Sequence, residues 1–245
     1  MPNILLINPN TTASITALVL RRARAEAAPG TRLRAVSGRF GARYVASRTA
    51  YAIAGHAAVD ALARDRGRRD AVVLACFGDP GLAALKELAE VPVVGMAEAA
   101  VLEAARSRGR FSIVTGGERW KPMLEEFVAA MGLAKRLASV RTVAPSGADI
   151  ARDPEGSLAL LARTCRACAA RDGAARVILG GAGLAGLAAR LADRVEVPLI
   201  DGLAAAIARA EALVGRGHVP PGPPPVESVG LAPRLARRLA FAKVT

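Results

Sequence analysis

Two stretches of this chain repeat one another, and that repeat constrains the fold more than any other feature. AVVLACFGDPGLAALKELAEVPVVGMAEAA can be laid against ARVILGGAGLAGLAARLADRVEVPLIDGLAAA. Cys76 then falls on Gly181, Gly81 on Gly186 and Leu82 on Leu187, all at an offset of 105 residues. One residue is inserted before the Val-Pro pairs Val91-Pro92 and Val197-Pro198. A second pair, NILLINPN and FSIVTGGE, repeats the sequence of an aliphatic strand followed by a polar loop and a helix. Two halves of one architecture are therefore present.

Each half alternates short aliphatic runs with alanine-rich helical stretches, the pattern of a mostly parallel sheet covered on both faces by helices. Strands are expected at Ile4–Ile7, Leu33–Val36, Ala71–Ala75, Val93–Val94, Phe111–Val114, Val140–Val143, Arg176–Leu179 and Leu199–Ile200. The fold class is α/β, with two pseudo-symmetric lobes and an active site in the cleft between them. One lobe is expected to comprise residues 1–95 plus 202–245, the other residues 96–201. The late segment GHVPPGPPPVESVG is too rich in proline for a sheet interior and is expected to wrap the surface before a short basic helix.

Similar lobes packed face to face confront each other with the loops at their strand C-termini, where α/β sheets bind ligands. Asn8, Cys76, Thr115 and Gly181 each fall just past the end of an expected strand, so all four can line one cleft. The loops CFGDPG and GGAGLAG pair glycines with helix starts, so several backbone N–H groups can point at one carboxylate or enolate. Such N–H groups would also lower the pKa of Cys76 below its free value of about 8.5, making it available as base or nucleophile. A small buried residue at a strand end is the plainer reading of an isolated cysteine.

Other chemistries find less support. There is no G-x-x-x-x-G-K-[ST] phosphate loop and no serine in a G-x-S-x-G elbow. His56, in AGHAAVDAL, lies on an apolar helical face and is read as packing. Asp79 and Asp201 are read as helix caps. Cys165 and Cys168 form a C-x-x-C inside the helical pattern SLALLARTCRACAA, where buried packing is the simpler role. His56 and His218 are too isolated from that pair to complete a zinc site. Three cysteines fit a reducing compartment, and MPNILLINPN has neither the basic start nor the cleavage pattern of a leader, so a cytoplasmic location is expected. No apolar run reaches the roughly 20 residues of a membrane span. The net charge of +13 comes from arginines dispersed among alanines, with only 3% aromatic residues, so nucleic acid is not an expected partner. The positive field would favour an anionic small substrate.

INPNTT, FGARYVASRTAYAIAGHAA, VVLACFGDPGL, FSIVTGGERW and VILGGAGLAGL followed by VPLIDG together resemble the hydantoin and allantoin racemase branch of the aspartate/glutamate racemase superfamily. The resemblance runs through most of residues 3–214 and excludes the proline-rich tail. It implies an isomerase with no metal and no organic cofactor, acting on a hydantoin, allantoin or amino-acid-type substrate, and it suggests a homo-oligomer, although the basic surface leaves a monomer open. Two cysteines flank the substrate's acidic carbon, one taking its proton as thiolate and the other returning a proton to the opposite face. Cys76 matches the first. Asn8 would contact a carboxylate or ring carbonyl and Tyr44 would line the pocket. Thr115, with the backbones of Phe77, Gly78 and Ala182, would hold the enolate oxygen. The second half departs from the pattern, because Gly180-Gly181-Ala182-Gly183 stands where the family reads G-C-A-G. Three functions follow: a racemase with Cys76 as its thiolate base, a one-thiol decarboxylase like arylmalonate decarboxylase with Cys76 as proton donor, or a small-molecule binder without turnover.

Overall fold

The computed structural model describes residues 1–216 and 222–240. The first half runs β1 (Asn3–Asn8), α1 (Ala13–Glu26), β2 (Arg32–Ser37), α2 (Arg48–Arg64), β3 (Ala71–Leu74), α3 (Leu82–Leu88), β4 (Val93–Gly95) and α4 (Met96–Arg106). The second runs β5 (Arg110–Gly116), α5 (Trp120–Ala130), β6 (Leu137–Val143), α6 (Gly147–Arg152), α7 (Pro154–Asp172), β7 (Ala174–Gly180), α8 (Leu187–Leu191), β8 (Leu199–Asp201) and α9 (Gly202–Leu213), and α10 (Pro233–Ala240) follows. Every expected strand is present, with ends shifted by at most three residues.

The strands form two parallel sheets of four, ordered β2-β1-β3-β4 and β6-β5-β7-β8. The order is the same in both, so the repeat read in the sequence is a repeat of topology. Central strands such as AVVL of β3 are buried at every residue, because helices cover both faces of a parallel sheet. Local chemistry fixes the helix ends. Ser47 accepts from the Ala50 N–H at the start of α2, Ser146 and Asp149 form a reciprocal cap on α6, and Asp153 with Pro154 opens α7, which Gly173 closes in the left-handed conformation.

The halves are joined through their last helices. α4 packs on α9 and also reaches β7 and β8 of the second sheet, while α9 reaches β3 and β4 of the first. Residues 222–232 run over the surface without regular structure, and α10 seats Leu235 in the apolar layer formed by Leu62, Leu85 and Leu88. His218 lies outside the described residues, as do the other residues of 217–221. Among the described residues no helix is long and apolar enough to cross a membrane.

Candidate active site

Between the two sheets, at the C-terminal ends of the strands, lies a partly open cavity whose empty space, its solvent-filled mouth included, is about 480 Å³. It is lined from the first half by Asn10, Ile15, Tyr44, Val45, Ala75, Cys76 and Phe77. The second half contributes Thr115, Trp120, Gly147, Ala148, Gly181, Ala182 and Gly183. Six of the eight residues expected at the site, Cys76, Tyr44, Phe77, Thr115, Gly181 and Ala182, therefore meet in one space.

Cys76 leaves β3 into a tight turn. The carbonyl of Cys76 accepts the Asp79 N–H at 3.0 Å, Gly78 has φ +116° and Asp79 φ +53°. Asp79 is the only non-glycine residue with positive φ among the described residues, a conformation that costs energy and is held here by its side chain. Its carboxylate accepts the Ala97 and Glu98 N–H groups at 3.0 and 2.7 Å, capping α4 rather than the helix of its own loop. The second half makes the same link from the other end: Asp201 caps α9 through Leu203 and Ala204 and reaches back to the Gly186 N–H at 2.6 Å. Where β8 ends in Asp201, β4 ends in Gly95, and a Cβ on Gly95 would lie 2.2 Å from the Asp79 carboxylate. One carboxylate site is thus filled from opposite strands in the two halves.

The thiol is 8% exposed, and burial, with the Asp79 carboxylate adding to it, pushes its pKa up to about 12. The shift runs opposite to the expected depression, because desolvation of the buried sulfur is its largest cause and the Asp79 carboxylate adds to it. Asp79 itself is held up at about 7 by burial, against the backbone N–H groups it accepts.

Two expected residues stand apart from the cavity wall. Asn8 turns its amide away, donating to Asn10 Oδ1 and Thr16 Oγ1 at 2.9 Å each, so it holds Asn10, and Asn10 is the asparagine that lines the cavity. Gly78 is covered by Trp120, whose ring would lie 2.6 Å from a Cβ there, and the Gly78 carbonyl accepts the Tyr51 hydroxyl at 2.6 Å. Trp120 and Gly147 are wall residues that the repeat did not reveal. Trp120 ends the segment FSIVTGGERW, whose resemblance to the family reaches as far as this residue. Asn8 and Thr115 are inside β1 and β5 rather than beyond them, Asn8 paired with Ser37 and Thr115 with Thr142 and Gly180.

Tyr44 bridges the halves. Its hydroxyl donates to the Gly116 carbonyl at 3.0 Å and accepts the Gly147 N–H at 3.1 Å, and burial raises its pKa. The Phe77 ring crosses in the same direction and lies over Gly180 and Gly202; a Cβ on Gly180 would be 2.4 Å from it. Gly181 has φ +132°, and a Cβ there would meet Leu184 Cδ1 at 3.2 Å and Thr115 Oγ1 at 3.7 Å. His56 is exposed and stacks edge-on against Phe40 at 4.9 Å, so it packs, though at the surface. Cys165 and Cys168 are buried in α7, and no group of three or more His, Cys, Asp or Glu side chains suited to a metal ion occurs among the described residues.

Comparison with known proteins matches residues 4–210 to a family model described as Asp/Glu/Hydantoin racemase. A hydantoin racemase of a Pseudomonas species is 36% identical over 215 residues, 87% of this chain and 86% of that protein. The crystal structure of an allantoin racemase from Pseudomonas fluorescens is 34% identical, superposes with a TM-score of 0.89, and covers 93% of this chain and 100% of its own. An arylmalonate decarboxylase structure shares the fold at a TM-score of 0.60 and 20% identity, over 90% of this chain and 96% of that one.

Proposed function

Because the chain belongs to the Asp/Glu/hydantoin racemase family, we propose that it is an isomerase acting at the acidic carbon of a hydantoin, allantoin or amino-acid-type substrate, with Cys76 as its thiolate base. The observation that carries this reading is the convergence of Cys76, Thr115 and the Gly181-Ala182 backbone on one cavity. Removal of the proton moves charge onto the adjacent carbonyl oxygen. The Thr115 hydroxyl and backbone N–H groups of the cavity wall supply donors for that oxygen, and preorganised donors stabilise such charge more than bulk water does. The amide of Asn10, oriented by Asn8, offers a further donor to a ring carbonyl or carboxylate. Burial of Cys76 favours the neutral thiol, and the thiolate that does form is correspondingly basic, which suits abstraction from weakly acidic carbon.

Polarimetry on single enantiomers of 5-substituted hydantoins, allantoin and amino acids tests the reading. Loss of rotation by the wild type, abolished in Cys76→Ala, is expected; no change across the whole panel would refute it.

A second reading is favoured by one observation, the absence of any side chain on Gly181. Decarboxylation of a substituted malonate needs only one proton donor, since loss of carbon dioxide generates the enolate that Cys76 would protonate on one face. Release of carbon dioxide with formation of one enantiomer supports it.

A further inference from the structure

Among the described residues the Thr115 hydroxyl is the polar side-chain group nearest to Gly181, lying 3.7 Å from where a Cβ on that glycine would be. Thr115 is 4% exposed and faces the cavity, and its hydroxyl makes no hydrogen bond to any described residue. A hydroxyl that lines a cavity without a protein partner takes water or ligand. Leu184 and Gly181 offer no group that exchanges a proton, whereas Cys76 does so in the opposite wall. The two faces of a bound substrate carbon therefore meet unequal chemistry.

Resting on the racemase reading, we propose that this cavity exchanges protons one-sidedly: Cys76 serves one face directly, while the Gly181 face receives its proton from a water held on the Thr115 hydroxyl. On the first face the C–H bond breaks as S–H forms, the electron pair moves to the carbonyl oxygen, the thiol trades its hydrogen with solvent, and C–H reforms with retention. On the other face an O–H bond of the water breaks as C–H forms with inversion, and the hydroxide left behind takes the thiol proton through solvent. Retentive exchange needs no transfer from the Gly181 side, so it outruns inversion. It is open only to the enantiomer whose hydrogen faces Cys76. Thr115 acts here as a positioning residue for the water.

The test follows deuterium incorporation by mass spectrometry and optical rotation together, in heavy water, from each pure enantiomer of one 5-substituted hydantoin. One enantiomer is expected to incorporate deuterium at least about tenfold faster than it loses rotation, and its mirror image to incorporate it only as it inverts. Thr115→Val, which removes the hydroxyl at nearly constant volume, is expected to raise the ratio of exchange to inversion for the first enantiomer by about tenfold, and Thr115→Ser to restore it. Racemisation in which exchange equals inversion for both enantiomers overturns the proposal and leaves the racemase reading standing. An unaltered ratio in Thr115→Val overturns the role of Thr115. Neither exchange nor inversion with any hydantoin, allantoin or amino acid of the panel overturns the racemase reading itself, and this proposal with it.

Discussion

A thiol held up at about 12 is almost entirely protonated near neutrality, so its thiolate fraction rises about tenfold with each pH unit until the pKa is reached. The expected consequence is a kcat/KM that climbs through pH 7 to 10 without a plateau, because that parameter reports the free enzyme. A plateau setting in near pH 8 would show a thiol of ordinary acidity. The same shift carries a stability consequence: between about pH 9 and 12 the unfolded chain loses a thiol proton that the folded chain keeps, so folding weakens as pH rises through that window. Beside the thiol, Gly180 has no room for even a methyl group under the Phe77 ring. Gly180→Ala is expected to cost about 1–3 kcal/mol by overpacking and to displace the Cys76 turn. In Gly180→Ala with Phe77→Ala the two costs should add to less than their sum, since both act on one contact. Chemical denaturation of the single and double variants measures the coupling, and strict additivity would show that the ring and glycine do not meet.

At the scale of elements, the link between the β3 loop and the helix after β4 is made by Asp79, and the matching link in the second half by Asp201. Asp79→Asn replaces one acceptor by a donor facing the N–H groups of α4, which is expected to cost about 1–3 kcal/mol. The pH dependence has a definite sign. The Asp79 carboxyl is held above its ordinary value, at about 7, so its contribution is fully present below about pH 4 and is lost as pH rises through 7. Thermal unfolding should thus show the largest deficit of the variant at about pH 4 and a smaller one at pH 8; a deficit that grows with pH would contradict the shift. The strands were legible in the sequence because buried parallel strands are continuous aliphatic runs, and β3 and β7 announced themselves twice through the repeat. Cys76 and Gly181 were legible for the same reason, as equivalent positions after equivalent strands. The choice of Asn10 over Asn8 was not, because both sit in INPN and only the bonds made by the Asn8 amide decide which side chain faces inward. The direction of the thiol shift was hidden as well, since it depends on how completely the folded chain buries Cys76 and on the approach of Asp79.

On the scale of the whole molecule the cavity belongs to neither half alone, and Tyr44 and Phe77 of the first half end on Gly116, Gly147 and Gly180 of the second. On this packing we propose a division into residues 1–95 plus 202–245 and residues 96–201, which assigns α9 to the first sheet and α4 to the second. Cleavage of the chain at Arg108, in the turn after α4, would produce two fragments. The first lacks α9 over β3 and β4, and the second lacks α4 over β7 and β8. Circular dichroism is expected to show each fragment largely unfolded by itself and a cooperative signal on mixing; a fragment that melts cooperatively on its own would disprove the exchange. An exchanged pair of helices thereby makes the nicked protein a heterodimer by construction. Its turnover would scale with the product of the two fragment concentrations, falling away on dilution even though no bond in either catalytic wall had been touched.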